Sequence, residues 1–265
     1  MKFLIAVDLE GIACAYGVVG GSIEDSFNIA FVRKQASMEA DAAARALFDC
    51  GAEEVVVWDC HGRGCSLDYM AIDRRAKLAI GSGGDARFPV IDGFTGVLFI
   101  GYHAMAGTPK AAMAHTFNSK KFQGVWVNGK LVGEIAIDAM IAGEHGVPVI
   151  FVSSDDKGVA EAQATLPWAE TVVTKESLAM TRVISKHPAA VVDEIYEAVK
   201  KAVGRLPAMQ LYHVQLPLEL KLRYCRADEC QASKIYDNQG QAFSLTDAFT
   251  RQGSLNHCED IIPRL

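Results

Sequence analysis

Asp8-Leu9-Glu10 places two carboxylates two residues apart, directly after the apolar run Lys2 to Val7. In extended geometry residues i and i+2 project to the same side, so the pair could grip one ion or two. A second apolar run closes on Asp59-Cys60-His61-Gly62 and a third on Gly101-Tyr102-His103. Each delivers an imidazole to what should be the same edge. Glu134 lies beside Gly133 at the start of a predicted helix, and His115 sits in a loop between Ala114 and Thr116. Asp8, Glu10, Glu134, His61 and His103 make a mixed nitrogen and oxygen set that suits zinc and, less selectively, manganese or cobalt. Three carboxylates supply a charge of about −3, so a bridging hydroxide would balance two divalent ions of summed charge about +4. Five ligands suffice for two ions if one carboxylate bridges, with Asp8 or Glu10 the natural bridge.

Plainer roles exist for each residue taken singly. An Asp at a strand end caps a helix or forms a turn, a lone histidine such as His103 is more often a hydrogen-bonded core or surface residue, and an early-helix Glu134 complements the helix dipole. What favours a metal site is the coincidence of three successive strands ending in ligand types.

The elements that must position these groups can be read from periodicity. Lys2 to Val7, Glu53 to Trp58, Val97 to Ile100 and Val147 to Val152 are short continuous apolar runs ending in polar residues, as expected of parallel strands buried on both faces. Between them lie helical patterns over Phe31 to Cys50, closed by Gly51, Val132 to Glu144, closed by Gly146, and Lys157 to Leu166. This alternation predicts an α/β fold with a mostly parallel central sheet flanked by helices, in which ligands sit at the carboxyl ends of the strands. After the helical stretch Ala189 to Val203 the pattern breaks at Gly204 and Pro207. Leu211 to Arg223 then resembles a strand and Leu245 to Arg251 a helix. The expected division is a metal-binding catalytic domain over 1–206 and a smaller α+β segment over 207–265.

The chain has 265 residues, half of them apolar and 22% charged, which excludes disordered and fibrous classes. A net charge of −6 without a basic cluster argues against nucleic acid as a partner. Asp8 and Glu10 cut the opening apolar run far short of a signal core or a membrane span, so no membrane association is expected. Seven cysteines without a CxxC pair do not form a disulfide framework, and the expected location is a reducing cytoplasm. Gly81-Ser82-Gly83-Gly84 lacks the Lys-Ser or Lys-Thr that follows a phosphate loop and is expected to be a turn. His145, His187, His213 and His257 receive no role.

Taken together, Val7-Asp8-Leu9-Glu10-Gly11-Ile12, Asp59-Cys60-His61-Gly62, Gly101-Tyr102-His103-Ala104, Met113-Ala114-His115-Thr116, Asn128-Gly129 and Val132-Gly133-Glu134 resemble the zinc-dependent D-aminopeptidase family in order and spacing over about the first 160 residues. A weaker similarity, including Asp155-Asp156, Lys175 and Arg182, continues beyond. The resemblance implies that Asp8, Glu10, His61, His103 and Glu134 hold two zinc ions and that His115 is the catalytic residue. It also implies a ring-like homodecamer with active sites facing an inner chamber, and peptides headed by a D-residue as substrates. Cys60 stands where the family more usually has Ser, and the segment from Leu211 onward diverges.

The mechanism expected is hydrolysis by water whose pKa two zinc ions lower from about 15.7 toward about 7, with His115 moving a proton or stabilising the oxyanion. Asp59 could orient the His61 imidazole or simply form a strand-end turn. Lys175 and Arg182, seven residues apart, would share a helix face and could bind the peptide carboxylate or a neighbouring subunit. Another dinuclear amidase or esterase on a non-peptide substrate, and a metal-dependent binding protein without turnover, are the competing readings.

Overall fold

The computed structural model describes residues 1–83 and 86–265, so Gly84, the last of the Gly81 to Gly84 run, lies outside the described residues. The strands in chain order are β1 (Lys2–Val7), β2 (Glu54–Asp59), β3 (Lys77–Ala79), β4 (Gly96–Tyr102), β5 (Phe122–Val127), β6 (Lys130–Val132), β7 (Val149–Asp155), β8 (Glu170–Ala179), β9 (Arg182–Ser185), β10 (Leu218–Tyr224), β11 (Ser244–Asp247) and β12 (Thr250–Leu255). The helices are α1 (Ile29–Asp49), α2 (Glu134–Glu144), α3 (Asp156–Thr165), α4 (Pro188–Gly204) and α5 (Ala227–Ala232).

Two sheets result. One has the order β3-β2-β1-β4-β7-β8-β9 and is parallel except for β9, while an antiparallel sheet has the order β11-β12-β10-β5-β6. In β1 the side chains alternate between two cores. Phe3, Ile5 and Val7 face α1 and α4, whereas Leu4 and Ala6 face α2 and the antiparallel sheet. Both neighbours of β1 are buried strands of its own sheet, which explains their unbroken apolar composition.

Helix α1 is alanine-rich on its buried face, so its backbone sits close to the sheet. It ends where Gly51 adopts φ +85°, with Gly51 N–H donating to Phe48 O and Ala52 N–H to Leu47 O. Gly146 closes α2 in the same way, at φ +74°. In α4 the residues Val191, Ile195, Val199 and Ala202 form the buried stripe.

The structure departs from the sequence reading in three places. Leu245 to Arg251 is a β-hairpin, not a helix, and belongs to β11 and β12. Of the expected strand Leu211 to Arg223, only the part from Leu218 lies in a sheet, as β10, which continues to Tyr224. Lys175 and Arg182 lie on the antiparallel pair β8 and β9, so they share no helix face. Among the described residues no helix is long and apolar enough to cross a membrane.

Candidate metal centre

The register of the parallel sheet brings the three strand ends together. Val7 of β1 lies opposite Asp59 on β2 and Ile100 on β4, so the residues that follow each strand emerge side by side. The chain leaves β1 toward β2 on one side and later returns to β4 on the other, the arrangement that opens a crevice at strand carboxyl ends. The turn after β1 stays fastened to β4: Asp8 N–H donates to Ile100 O at 2.8 Å and Gly11 N–H to Gly101 O at 2.7 Å. This approach requires glycine on both sides. A Cβ on Gly11 would lie 1.9 Å from Tyr102 O, and one on Gly101, already at φ +71°, would lie 2.4 Å from Asp8 O.

Six side chains converge on this crevice. His103 Nε2 lies 3.5 Å from Asp8 Oδ2 and 3.2 Å from Glu134 Oε1, and His61 Nε2 lies 3.4 Å from Glu10 Oε1. His115 Nε2 is 3.6 Å from Glu134 Oε1, and its ring stacks on that of His103 with centroids 4.1 Å apart. Asp8, Glu10 and His103 can each offer one ligand atom within 4.8 Å of the others, and so can His103, His115 and Glu134. His103 belongs to both groups. His61 joins through Glu10.

The hydrogen bonds around the imidazoles set their orientation. His103 Nδ1 faces Ala104 O at 3.1 Å and His115 Nδ1 faces Met113 O at 2.8 Å. A carbonyl only accepts, so Nδ1 carries the proton in each neutral ring and Nε2 turns a lone pair toward the carboxylates. Glu134 is likewise held, because its Oε1 accepts from Phe117 N–H at 2.8 Å while the residue occupies the first position of α2. Met113 has φ +52°, an unusual conformation for this residue, and its carbonyl is the one that fixes His115.

Burial and charge together perturb every group. Asp8 has its carboxyl pushed well above the ordinary value, first by burial and then by the neighbouring Glu10 charge. Burial acts against ionisation of Glu10 too, but the His61 and His103 charges overcome it and hold this carboxyl well down. His61 titrates at about 10: burial opposes the charged form, and Glu10 and Asp8 more than compensate. His103 is raised for the same reason, burial being outweighed by Glu134, Asp8 and Glu10. His115 goes the other way, lowered by burial and by the His103 charge, so it is neutral at pH 7. The cluster is thus one that demands positive charge.

The residues fit a divalent cation on a further observation. Glu10 Oε2 and His103 Nε2 are buried with no hydrogen-bond partner, a costly state that coordination to a cation relieves. Carboxylate oxygen and imidazole nitrogen are also the donors that zinc takes.

Other charged groups near the crevice escaped sequence reasoning. Arg87 donates through Nε and Nη2 to the two oxygens of Asp138, each at 2.8 Å, and Tyr102 OH donates to Asp138 Oδ2 at 2.7 Å. Glu161 Oε2 accepts from Met105 N–H at 2.8 Å, two residues past His103, and burial raises this carboxyl to about 7. Lys175 is 1% exposed and bonded to main-chain carbonyls, so it cannot meet a substrate carboxylate. Asp59 accepts from Ser66 N–H and Leu67 N–H, the turn-forming role, and makes no hydrogen bond to His61. The partners of Arg87, Glu161 and Lys175 lie more than 50 residues away in the chain, so no local pattern marks them.

A family model described as D-aminopeptidase matches residues 1–253. A D-aminopeptidase of Bacillus subtilis (strain 168) is 32% identical over 197 residues, covering 71% of this chain and 69% of that protein. A solved structure described as the Zn-dependent D-aminopeptidase DppA from Bacillus subtilis, a self-compartmentalizing protease, superposes with a TM-score of 0.90 at 24% identity, over 100% of this chain and 95% of that one. At that identity the superposition speaks for the fold.

Proposed function

The chain belongs to the D-aminopeptidase family, and from that premise we propose that it is a dinuclear zinc enzyme that removes the amino-terminal D-residue from short peptides. The observation that carries the reading is the pair of overlapping ligand groups sharing His103, buried at the meeting of three strand ends. Asp8, Glu10, His61, His103 and Glu134 are the proposed zinc ligands, and His115 the proposed catalytic residue. Zinc bound there supplies a Lewis acid and makes a hydroxide nucleophile available near neutral pH.

The chain's own groups do the rest. His115 is neutral, with Nδ1 tied to Met113 O, so Nε2 is free to take a proton at the reacting centre and return it to the departing amine. The carboxylates of Asp8 and Glu10 give the free ammonium of the substrate a place to lie. Glu134 has its carboxyl lowered to about 2, because burial is outweighed by the His103 charge, and so remains available as an ionised ligand. Glu161, through Met105 N–H, steadies the segment that carries His103.

The structural relative is described as a self-compartmentalizing protease, and we extend that to a homodecameric ring for this chain, acting in the cytoplasm. Residues 1–206 hold every proposed site residue, and 207–265 form the smaller segment whose strands extend the sheet begun by β5 and β6. The test is release of free amino acid from matched D- and L-headed dipeptides by zinc-loaded protein, with a chelated control. Chelator-sensitive cleavage of D-headed peptides alone is expected. Zinc-loaded protein that cleaves neither would move the assignment to another bond or to a binding role, and light scattering from a stable monomer would remove the ring.

A further inference from the structure

Two cavities meet at the metal centre. One, of about 390 Å³, is lined by Asp8, Glu10, His61, Arg87, His115 and Glu134. The other, of about 260 Å³, adjoins it and shares Glu10, Ser22, His115, Ser119 and Lys120. Beyond those shared residues its wall carries no ionisable side chain. Val18, Ile23, Met113 and Met180 line it, with glycines between them.

This second chamber is built by contact between three separate segments. Met113 N–H donates to Met180 O at 3.2 Å, joining the His115 loop to the turn between β8 and β9. Gly17 brings the loop after β1 against both: a Cβ there would lie 2.7 Å from Met180 O and 2.8 Å from Met113 Cγ. The left-handed backbone of Met113 thus serves twice, aiming its carbonyl at His115 while its side chain lines the chamber.

We propose that the chamber beside His115 is the binding site for the side chain of the substrate's amino-terminal residue, and that it selects an apolar side chain larger than a methyl group. This rests on the aminopeptidase reading. The free ammonium of that residue belongs with the carboxylates of the first cavity, and its carbonyl with the metal ligands. Its side chain branches from the carbon between them and therefore falls next to Glu10 and His115, the shared border. A space of about 260 Å³ far exceeds what one methyl group fills and approaches the lower end of small-ligand sites, about 300 Å³. The departing residue leaves toward the exposed rim of the first cavity at Gly62 and Asn118, which do not line the chamber.

The test measures kcat/KM of the zinc-loaded protein for dipeptides with D-Ala, D-Leu, D-Met or D-Phe at the head and glycine as the departing residue. A second series keeps D-Ala at the head and varies the departing residue. Apolar pockets discriminate one methylene by roughly 10- to 200-fold, so D-Leu or D-Met should exceed D-Ala at the head by at least roughly 10-fold. Val18→Trp, a half-buried loop position, should fill the chamber and bring that ratio toward one. Cleavage of the D-Ala peptide at a rate equal to or above the others overturns this inference and leaves the aminopeptidase reading standing. Selectivity that appears only in the second series also overturns it, and cleavage of no peptide overturns both.

Discussion

Lys175 reaches from β8 to the backbone of Glu10, its Nζ donating to that carbonyl at 2.5 Å and to Ile12 O at 2.7 Å. A wholly buried ammonium therefore ties down the turn that carries Asp8 and Glu10. Lys175→Met removes both bonds; Ile12 O keeps its bond from Ala15 N–H, while the Glu10 carbonyl is left unpaired at about 1–3 kcal/mol. Because the turn also presents two proposed ligands, zinc affinity should fall by about 10- to 100-fold, as for other groups that support ligands from behind. Competition with a chromophoric chelator measures it. Unchanged affinity in a folded Lys175→Met protein would reduce the residue to a purely structural contact.

His115 stacks on His103 and can reach the same cation as Glu134, yet it is not among the five proposed ligands. His115→Ala should keep its zinc and lose about 10²- to 10⁴-fold in kcat, the span of general acid–base catalysis. Metal content by elemental analysis, taken beside kcat, separates the roles. Zinc lost along with turnover would make His115 a ligand, and near-normal turnover would remove it from the mechanism.

Gly11→Ala tests the contact between β1 and β4. The added methyl meets Tyr102 O at 1.9 Å, so the turn must move away from the strand that leads to His103. Overpacking of this kind costs about 1–3 kcal/mol, and Asp8 and His103 would separate as the turn shifts. Lowered urea midpoint together with weaker zinc binding is expected. Normal binding in the variant would mean that the ligand turn tolerates displacement.

Glu39, buried on α1, accepts from Ala13 N–H at 3.1 Å and Gln35 Nε2 at 3.0 Å, and burial raises its carboxyl from 4.5 to about 7 despite both bonds. The folded state holds the proton more tightly than the unfolded chain does. The stabilisation is complete below about pH 4.5 and is lost as pH rises to about 7, amounting to something on the order of 3 kcal/mol at most. Urea melts of the wild type and Glu39→Gln across this range should diverge, the variant having the flatter profile. Parallel profiles would place the acidic-range slope elsewhere.

The central strands and the strand-end residues were legible in the sequence because burial on both faces writes an unbroken apolar run, and each run stops where its backbone leaves the sheet. Gly51 and Gly146 marked helix ends for an equally local reason. Leu245 to Arg251 misled because its apolar residues, Leu245 and Phe249, are four apart, and a hairpin turn at Ala248 and Phe249 mimics one helical turn. Asn128 and Gly129, both at positive φ, form the turn between β5 and β6, a hairpin that the sequence reading did not assign. Lys175 was read only as a charge for the peptide carboxylate or a neighbouring subunit, and Glu39 and Arg87 were silent. Their partners lie 165, 26 and 51 residues away, and a buried charge looks like a surface one until the partner is in place.

Strands β2, β1 and β4 are neighbours in the sheet although the chain between them runs through α1 and β3. The six converging side chains therefore exist as a group only in the finished sheet, and an unfolded chain offers a cation nothing comparable. Occupancy and folding are then one equilibrium. At a free zinc concentration 1,000 times Kd the native state gains about 4 kcal/mol. A chelator should lower Tm as well as abolish turnover, so melting temperature against free zinc becomes a measure of affinity that requires no substrate.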